Sequence, residues 1–304
     1  PGPRKASLLV LLAVVELLAA AMPHRETFRL PAAYPDALTS AFRGTPAETR
    51  ILNPYKPNLA LSMGWHDIWG RDPMVPRRYG EFTAWLQQVD GLQLAGNDFP
   101  FRSHPLLGML RCGPMLTIAG DGIRLVDSGG VPMPRVSLVG RWVVEPRRDG
   151  AFAVLGQPGF DPRRLVVLER DPGLPEGSRP GSPGTARVTD VSTDHLSIEA
   201  DVSAPAILLV TDNFMEGWRI VPLEGGASQS YEIIPANYTL RGVPLAAGHH
   251  RFRMEYRPAS FVIGCGLSVA GCIAWLAVAG ILLRRRVVAG DAGSQASSGQ
   301  EVLS

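Results

Sequence analysis

Cysteine and lysine are the scarce residues of this 304-residue chain. The cysteines are Cys112, Cys265 and Cys272, and the last two fall inside a long apolar run. Cys112 is therefore alone in the remainder, which excludes a disulfide framework. The six histidines form no HExxH or HxH spacing and no CxxC occurs, so no metal-ligand pattern and no cofactor motif can be assembled. A G-x-S-x-G elbow and a G-x-x-x-x-G-K-[ST] phosphate loop are missing as well, which removes two widespread catalytic signatures. Only Lys5 and Lys56 join the arginines among 30 basic residues, set against 28 acidic ones. A net charge of +2 is not the concentrated basic surface that nucleic acid requires.

What the chain does have is apolar residues, at 45% of the total, enough to exclude disorder. The mean hydropathy of +0.06 is high for a chain this rich in Gly, Pro and Arg. The excess sits at the two ends. Residues 261–283 (FVIGCGLSVAGCIAWLAVAGILL) carry no charge and reach about 34 Å as a helix, enough to cross a bilayer core. Arg284, Arg285 and Arg286 follow, which by the positive-inside rule puts this end in the cytoplasm. Gly264, Ser268, Gly271 and Cys272 recur near one face, where another membrane helix can approach or lipid can lie. Residues 287–304 read as a disordered cytoplasmic tail.

The other apolar run, 6–22, follows Arg4 and Lys5 and contains Glu16. It reads as a transmembrane helix of a larger bundle, or as a signal-like segment ending in Ala19-Ala20-Ala21. The chain opens on Pro1, and the expectation is a piece of a longer protein. Both alternatives put residues 24–260 on the extracytoplasmic side.

Between the ends, residues 24–170 read as a mixed α/β region. Short helices are predicted at 35–42 and, with Tyr79, Phe82, Trp85, Leu86 and Val89 on one face, at 76–89. Strands are predicted at 115–119, 123–127, 136–138, 142–144 and 165–168. Residues 171–184 (DPGLPEGSRPGSPG) read as a linker. Residues 185–258 contain seven short, punctuated strands, the signature of an antiparallel β-sandwich. The fold class expected is α+β, flanked by transmembrane helices.

Two polar clusters are candidates for function. In GWHDIWGRDP, Asp67 or Asp72 could stand beside a sugar stacked on Trp65, with Arg71 nearby; the plainer reading is an Asp that caps backbone N–H groups and pairs with Arg71. Arg77 and Arg78 follow, able to meet the phosphate of a lipid-linked donor or simply to form a solvated helix start. In TDNFMEGWRI, Asp212 and Trp218 occupy a strand–turn–strand that a β-turn explains without function. Asn237-Tyr238-Thr239 matches a glycosylation sequon, a pattern common by chance.

At these clusters the sequence resembles the YfhO family of bacterial polytopic membrane proteins. NLALSMGWHDIWGRDPMVPRRY is similar to the family's NLAL-YG-rDirGYDPl-p-RY segment, and HPLLGMLRCGPMLT and PMPRVSLV fit two further segments. TDNFMEGWRI with IIPANYTLRGVPLAAGHHRFRMEYRP is similar to its tail, except that Met215-Glu216 stand where Tyr-Pro is usual. The likeness is collinear over about residues 6–283. It implies the C-terminal part of a glycosyltransferase of the GT-C type, which uses polyprenyl-phosphate sugars to glycosylate cell-envelope glycopolymers. The catalytic loop of such enzymes lies near their N-terminus, so no catalytic residue is assigned here. The partners implied are the bilayer, a lipid-linked sugar, an envelope glycan and the remaining membrane helices. A membrane-anchored carbohydrate-binding or interaction module without chemistry is the alternative; an anchored hydrolase has no motif in its favour.

Overall fold

A computed structural model describes residues 3–22, 46, 48–54, 63–70, 74–90, 101–119, 122–175, 183–227 and 229–298. The fold is α+β. The chain divides into two compact units, the first made of Pro1–Arg71, Ser103–Gly108 and Cys112–Val131, the second of Asp72–Arg102, Met109–Arg111 and Pro132–Ser304.

The first unit begins with helix α1 (Pro3–Ala21). Its apolar part, Leu8–Ala21, is shorter than the roughly 20 residues that a bilayer-crossing helix needs. A four-stranded sheet follows in the order β2-β1-β3-β4. Strand β1 (Arg50–Leu52) runs parallel to β2 (His66–Asp67) and to β3 (Cys112–Ala119), which forms an antiparallel hairpin with β4 (Gly122–Asp127). Ile51 and Leu116 centre a small core against which Met63, Trp65 and Leu125 pack. The helix predicted at 35–42 lies outside the described residues.

The second unit opens with α2 (Arg77–Gln87), which begins after Pro76 and ends where Gln88 turns left-handed at φ 56°. Tyr79, Phe82 and Leu86, three or four residues apart, form its buried face. Two sheets carry the rest. The larger has six strands in the order β5-β10-β13-β12-β7-β6: β5 is Val136–Val139, β6 Trp142–Val144, β7 Val166–Leu168, β10 Ala206–Asn213, β12 Ile234–Ala236 and β13 Leu240–Leu245. The smaller has the order β11-β14-β9-β8, with β8 at Gly184–Val191, β9 at His195–Val202, β11 at Trp218–Pro222 and β14 at Gly248–Tyr256, all antiparallel. One hydrophobic cluster joins them. Leu196, Ile198 and Ala200 alternate along β9, Phe252 and Met254 along β14, and they meet Leu208, Val210, Val243 and Leu245 of the larger sheet.

Two features differ from expectation. The larger sheet takes β5, β6 and β7 from before residues 171–184 and its other strands from after them, so pairing runs across the expected linker. A Pro- and Gly-rich segment can join strands of one sheet as readily as two domains, and composition does not distinguish the cases. A short helix, α3 (Arg148–Leu155), also interrupts the strands; eight residues carry too little periodicity to announce it.

Strand β14 leads through Arg257 and Pro258 into helix α4 (Ala259–Ser298). Among the described residues, its Ala259–Leu282 segment is the one helix long and apolar enough to cross a membrane. The helix continues to Ser298 over residues whose composition predicts a disordered tail, since extending a formed helix avoids the cost of nucleation.

Candidate functional site

In the first unit, strand pairing of β1 with β2 brings Asp67 against the end of β1. Its Oδ1 accepts the backbone N–H groups of Asn53 and Trp69, each at 3.2 Å. Its Oδ2 is buried without a hydrogen-bond partner among the described residues. Burial pushes the carboxyl up to about 7, against the three backbone N–H groups of Trp69, Asn53 and Ile68 that favour its charge. Trp65 is half-buried and packs on the Ile51–Leu116 core. Asp67 thus caps backbone and Trp65 fills core, which is the plainer of the two uses open to this cluster. Arg71 and Asp72 lie outside the described residues.

In the second unit, Asp212 ends the apolar run of β10 and is itself buried. Arg111 Nη2 donates to one of its oxygens and Arg135 Nε to the other, both at 3.0 Å. Two residues on, the Phe214 N–H donates to the Thr239 carbonyl, which closes the corner. Arg241 Nε donates to the Asn213 carbonyl at 2.8 Å, and its guanidinium lies 3.7 Å from the centre of the Trp218 ring. Trp218 also meets Tyr256 at 5.4 Å.

A fourth arginine reaches the same corner from α2. The Arg78 guanidinium lies 5.5 Å from the centre of the Phe214 ring and 5.3 Å from that of Tyr238. Both its terminal nitrogens donate to the Glu169 carboxylate, a bidentate pair. Arg77, by contrast, is 88% exposed and holds Glu81 one helical turn on. Burial works against the charge of Glu81, but the Tyr238 hydroxyl and Arg77, both donating to it, keep its carboxyl below the usual range. Burial, together with Glu81, pushes the Tyr238 hydroxyl up to about 12. Tyr238 and Asn237 both take positive φ, 68° and 44°. Asn237 is fully buried; its Oδ1 accepts the Val167 N–H at 2.9 Å and its Nδ2 faces Met109 Sδ at 3.4 Å. The sequon asparagine is a strand connector here.

The structure therefore brings Arg78, Asp212 and Trp218 together, and leaves Arg77 on the helix surface. It adds Arg111, Arg135, Glu169 and Arg241, which sequence reasoning did not single out. Each of these three arginines lies in a segment that carries the family likeness, LRCG, PMPR and TLRG, and that was the available signal. Chemically, the corner is a set of held charges. Both oxygens of Asp212 are engaged, so it is an anchor for arginines more than a base poised over a substrate. Among the described residues no group of three His, Cys, Asp or Glu side chains could hold a metal ion.

Compared with known proteins, the chain matches no family model, no curated protein and no solved structure.

Proposed function

We propose that this chain is the C-terminal, extracytoplasmic part of a YfhO-like bacterial membrane protein. In this reading the whole protein transfers sugar from a polyprenyl phosphate to cell-envelope glycopolymers, and this part supports or binds the acceptor glycan. One observation carries the proposal. The separated segments that bear the likeness, at Arg78, Arg111, Arg135, Asp212–Trp218 and Asn237–Arg241, converge on one corner of the second unit. Scattered motif residues that meet in space have a common physical reason to be there.

The same unit ends in the apolar helix, which we read as a membrane span with Arg284 and its two neighbours on the cytoplasmic side. The two sheets and their shared cluster support an extracytoplasmic β-sandwich seated above it. Membranes from cells that express the complete gene should transfer labelled sugar from polyprenyl phosphate to envelope glycopolymer. Equal transfer by membranes lacking the protein would refute the proposal.

The engagement of both Asp212 oxygens favours a second reading, a binding module without chemistry of its own. Trp218 is half-buried, with Arg241 over its ring and the core behind it, and its exposed part at the corner is where a sugar would sit. Glycan binding by the full chain, weakened by Trp218→Ala with no transfer activity in the whole protein, distinguishes this reading from the first.

A further inference from the structure

Where the turn before β11 meets the start of α4, Met215, Glu216 and Arg257 form an exposed patch that neither the ion pairs nor the core accounts for. Gly217 sits at φ 99°, and a Cβ there would meet Pro258 Cα at 3.0 Å. The Arg257 N–H donates to the Gly217 carbonyl at 2.8 Å. The turn 214–217 is therefore fastened to the first turn of the apolar helix, with no free linker between them. Around it lie Met215, a large apolar side chain that is 39% exposed, the exposed charges of Glu216 and Arg257, and the half-buried ring pair Trp218–Tyr256.

We infer that this turn is a membrane-interface anchor whose partner is the phospholipid headgroup layer. The inference rests on α4 spanning the bilayer. Its 24 apolar residues reach about 36 Å, slightly more than a hydrocarbon core of about 30 Å, so Pro258 stands at or just outside the hydrocarbon boundary. Met215 is two Cα steps from Gly217, at most about 7 Å. The headgroup layer on each side is roughly 5–7 Å thick. The turn thus lies at headgroup depth as a consequence of its attachment to Pro258. Its composition suits that depth: a flexible apolar side chain, a Trp and a Tyr, which favour the interface, and one charge of each sign at the rim. The anchor fixes the height of the Asp212 corner, five residues before Gly217, above the lipid.

Site-directed spin labelling of the full chain in phosphatidylcholine–phosphatidylglycerol vesicles tests this. Cys265→Ala and Cys272→Ala remove the reactive thiols; Cys112 is buried, its thiol pushed up to about 12 by that burial, and stays unlabelled. Nitroxides are placed at Met215→Cys, at Ile273→Cys within the apolar helix, and at Ala247→Cys. Ala247 adjoins the far end of β14, about 27 Å along the strand. Collision rates with oxygen and with a water-soluble nickel chelate give depth. The expected result is a deep label at 273, a headgroup-depth label at 215 and an aqueous label at 247. A deep 273 with an aqueous 215 overturns the anchor alone. An aqueous 273 removes the membrane reading and the anchor with it. A label at 215 reached by neither reagent means that protein, not lipid, covers the turn, and this also overturns the inference.

Discussion

Asp212 is the residue on which the second unit's charged corner depends. Arg111 and Asp212 are both buried, so loss of the carboxylate leaves a guanidinium stranded in low dielectric. Asp212→Ala is expected to cost about 3–5 kcal/mol of stability, read as a lower urea midpoint in detergent. Arg77→Ala should leave that midpoint unchanged, because the side chain is solvated and its pair with Glu81 is screened. Asn237→Ala removes the acceptor of the buried Val167 N–H and a residue suited to positive φ, with an expected loss of about 1–3 kcal/mol. Asp67 makes a pH-dependent prediction. Folding raises its pKa from 3.8 to about 7, so the fold prefers the neutral carboxyl. The penalty is absent below the unfolded value, grows as pH rises, and is complete above about 7. Asp67→Asn should therefore gain stability relative to the natural chain at pH 8 and not at pH 3.5, by about 4 kcal/mol at most. Equal effects at both pH values would contradict the assignment.

At the scale of elements, legibility followed burial geometry. Strands β9 and β14 cover the cluster with one face and meet water with the other, so LSIEADV and RFRMEY show the alternation that names a strand. Strand β10 is buried on both faces, and its AILLV run was readable as a strand only through its length and its bounding turns. The helix α2 was legible because its buried face repeats over three turns, whereas α3 was too short. Partner choice was not legible. The pairing of β5 with β10 and of β12 with β7 depends on contacts across many residues that no local pattern encodes. The site shared this division. Asp212 and Trp218 stood out as a polar turn after an apolar strand, but Arg111, Arg135 and Arg241 became visible only when pairing brought their segments together. Phe252, fully buried in β14 at the contact between the two sheets, tests how far their shared cluster supports the unit. Phe252→Ala should cost about 3–5 kcal/mol by denaturation, well above any exposed residue of the same strand.

At the scale of the whole molecule, the apolar helix, the turn fastened to its first residues and the arginine corner form one continuous stretch of the second unit. In the proposed reading, in which that helix spans the bilayer, this arrangement places a held, charged surface near lipid, where a lipid-linked sugar and its acceptor glycan would both be found. It also explains why the chain carries no recognisable catalytic motif of its own: in the proposed reading the bond-making residues belong to another part of the protein. The most direct test is the sugar content of purified envelope glycopolymer from cells with and without the complete gene, measured beside their pool of polyprenyl-phosphate sugar. The account predicts that deletion removes one sugar substituent and raises the lipid-linked pool, with both restored by the natural gene. Unchanged substituents and an unchanged pool would contradict it.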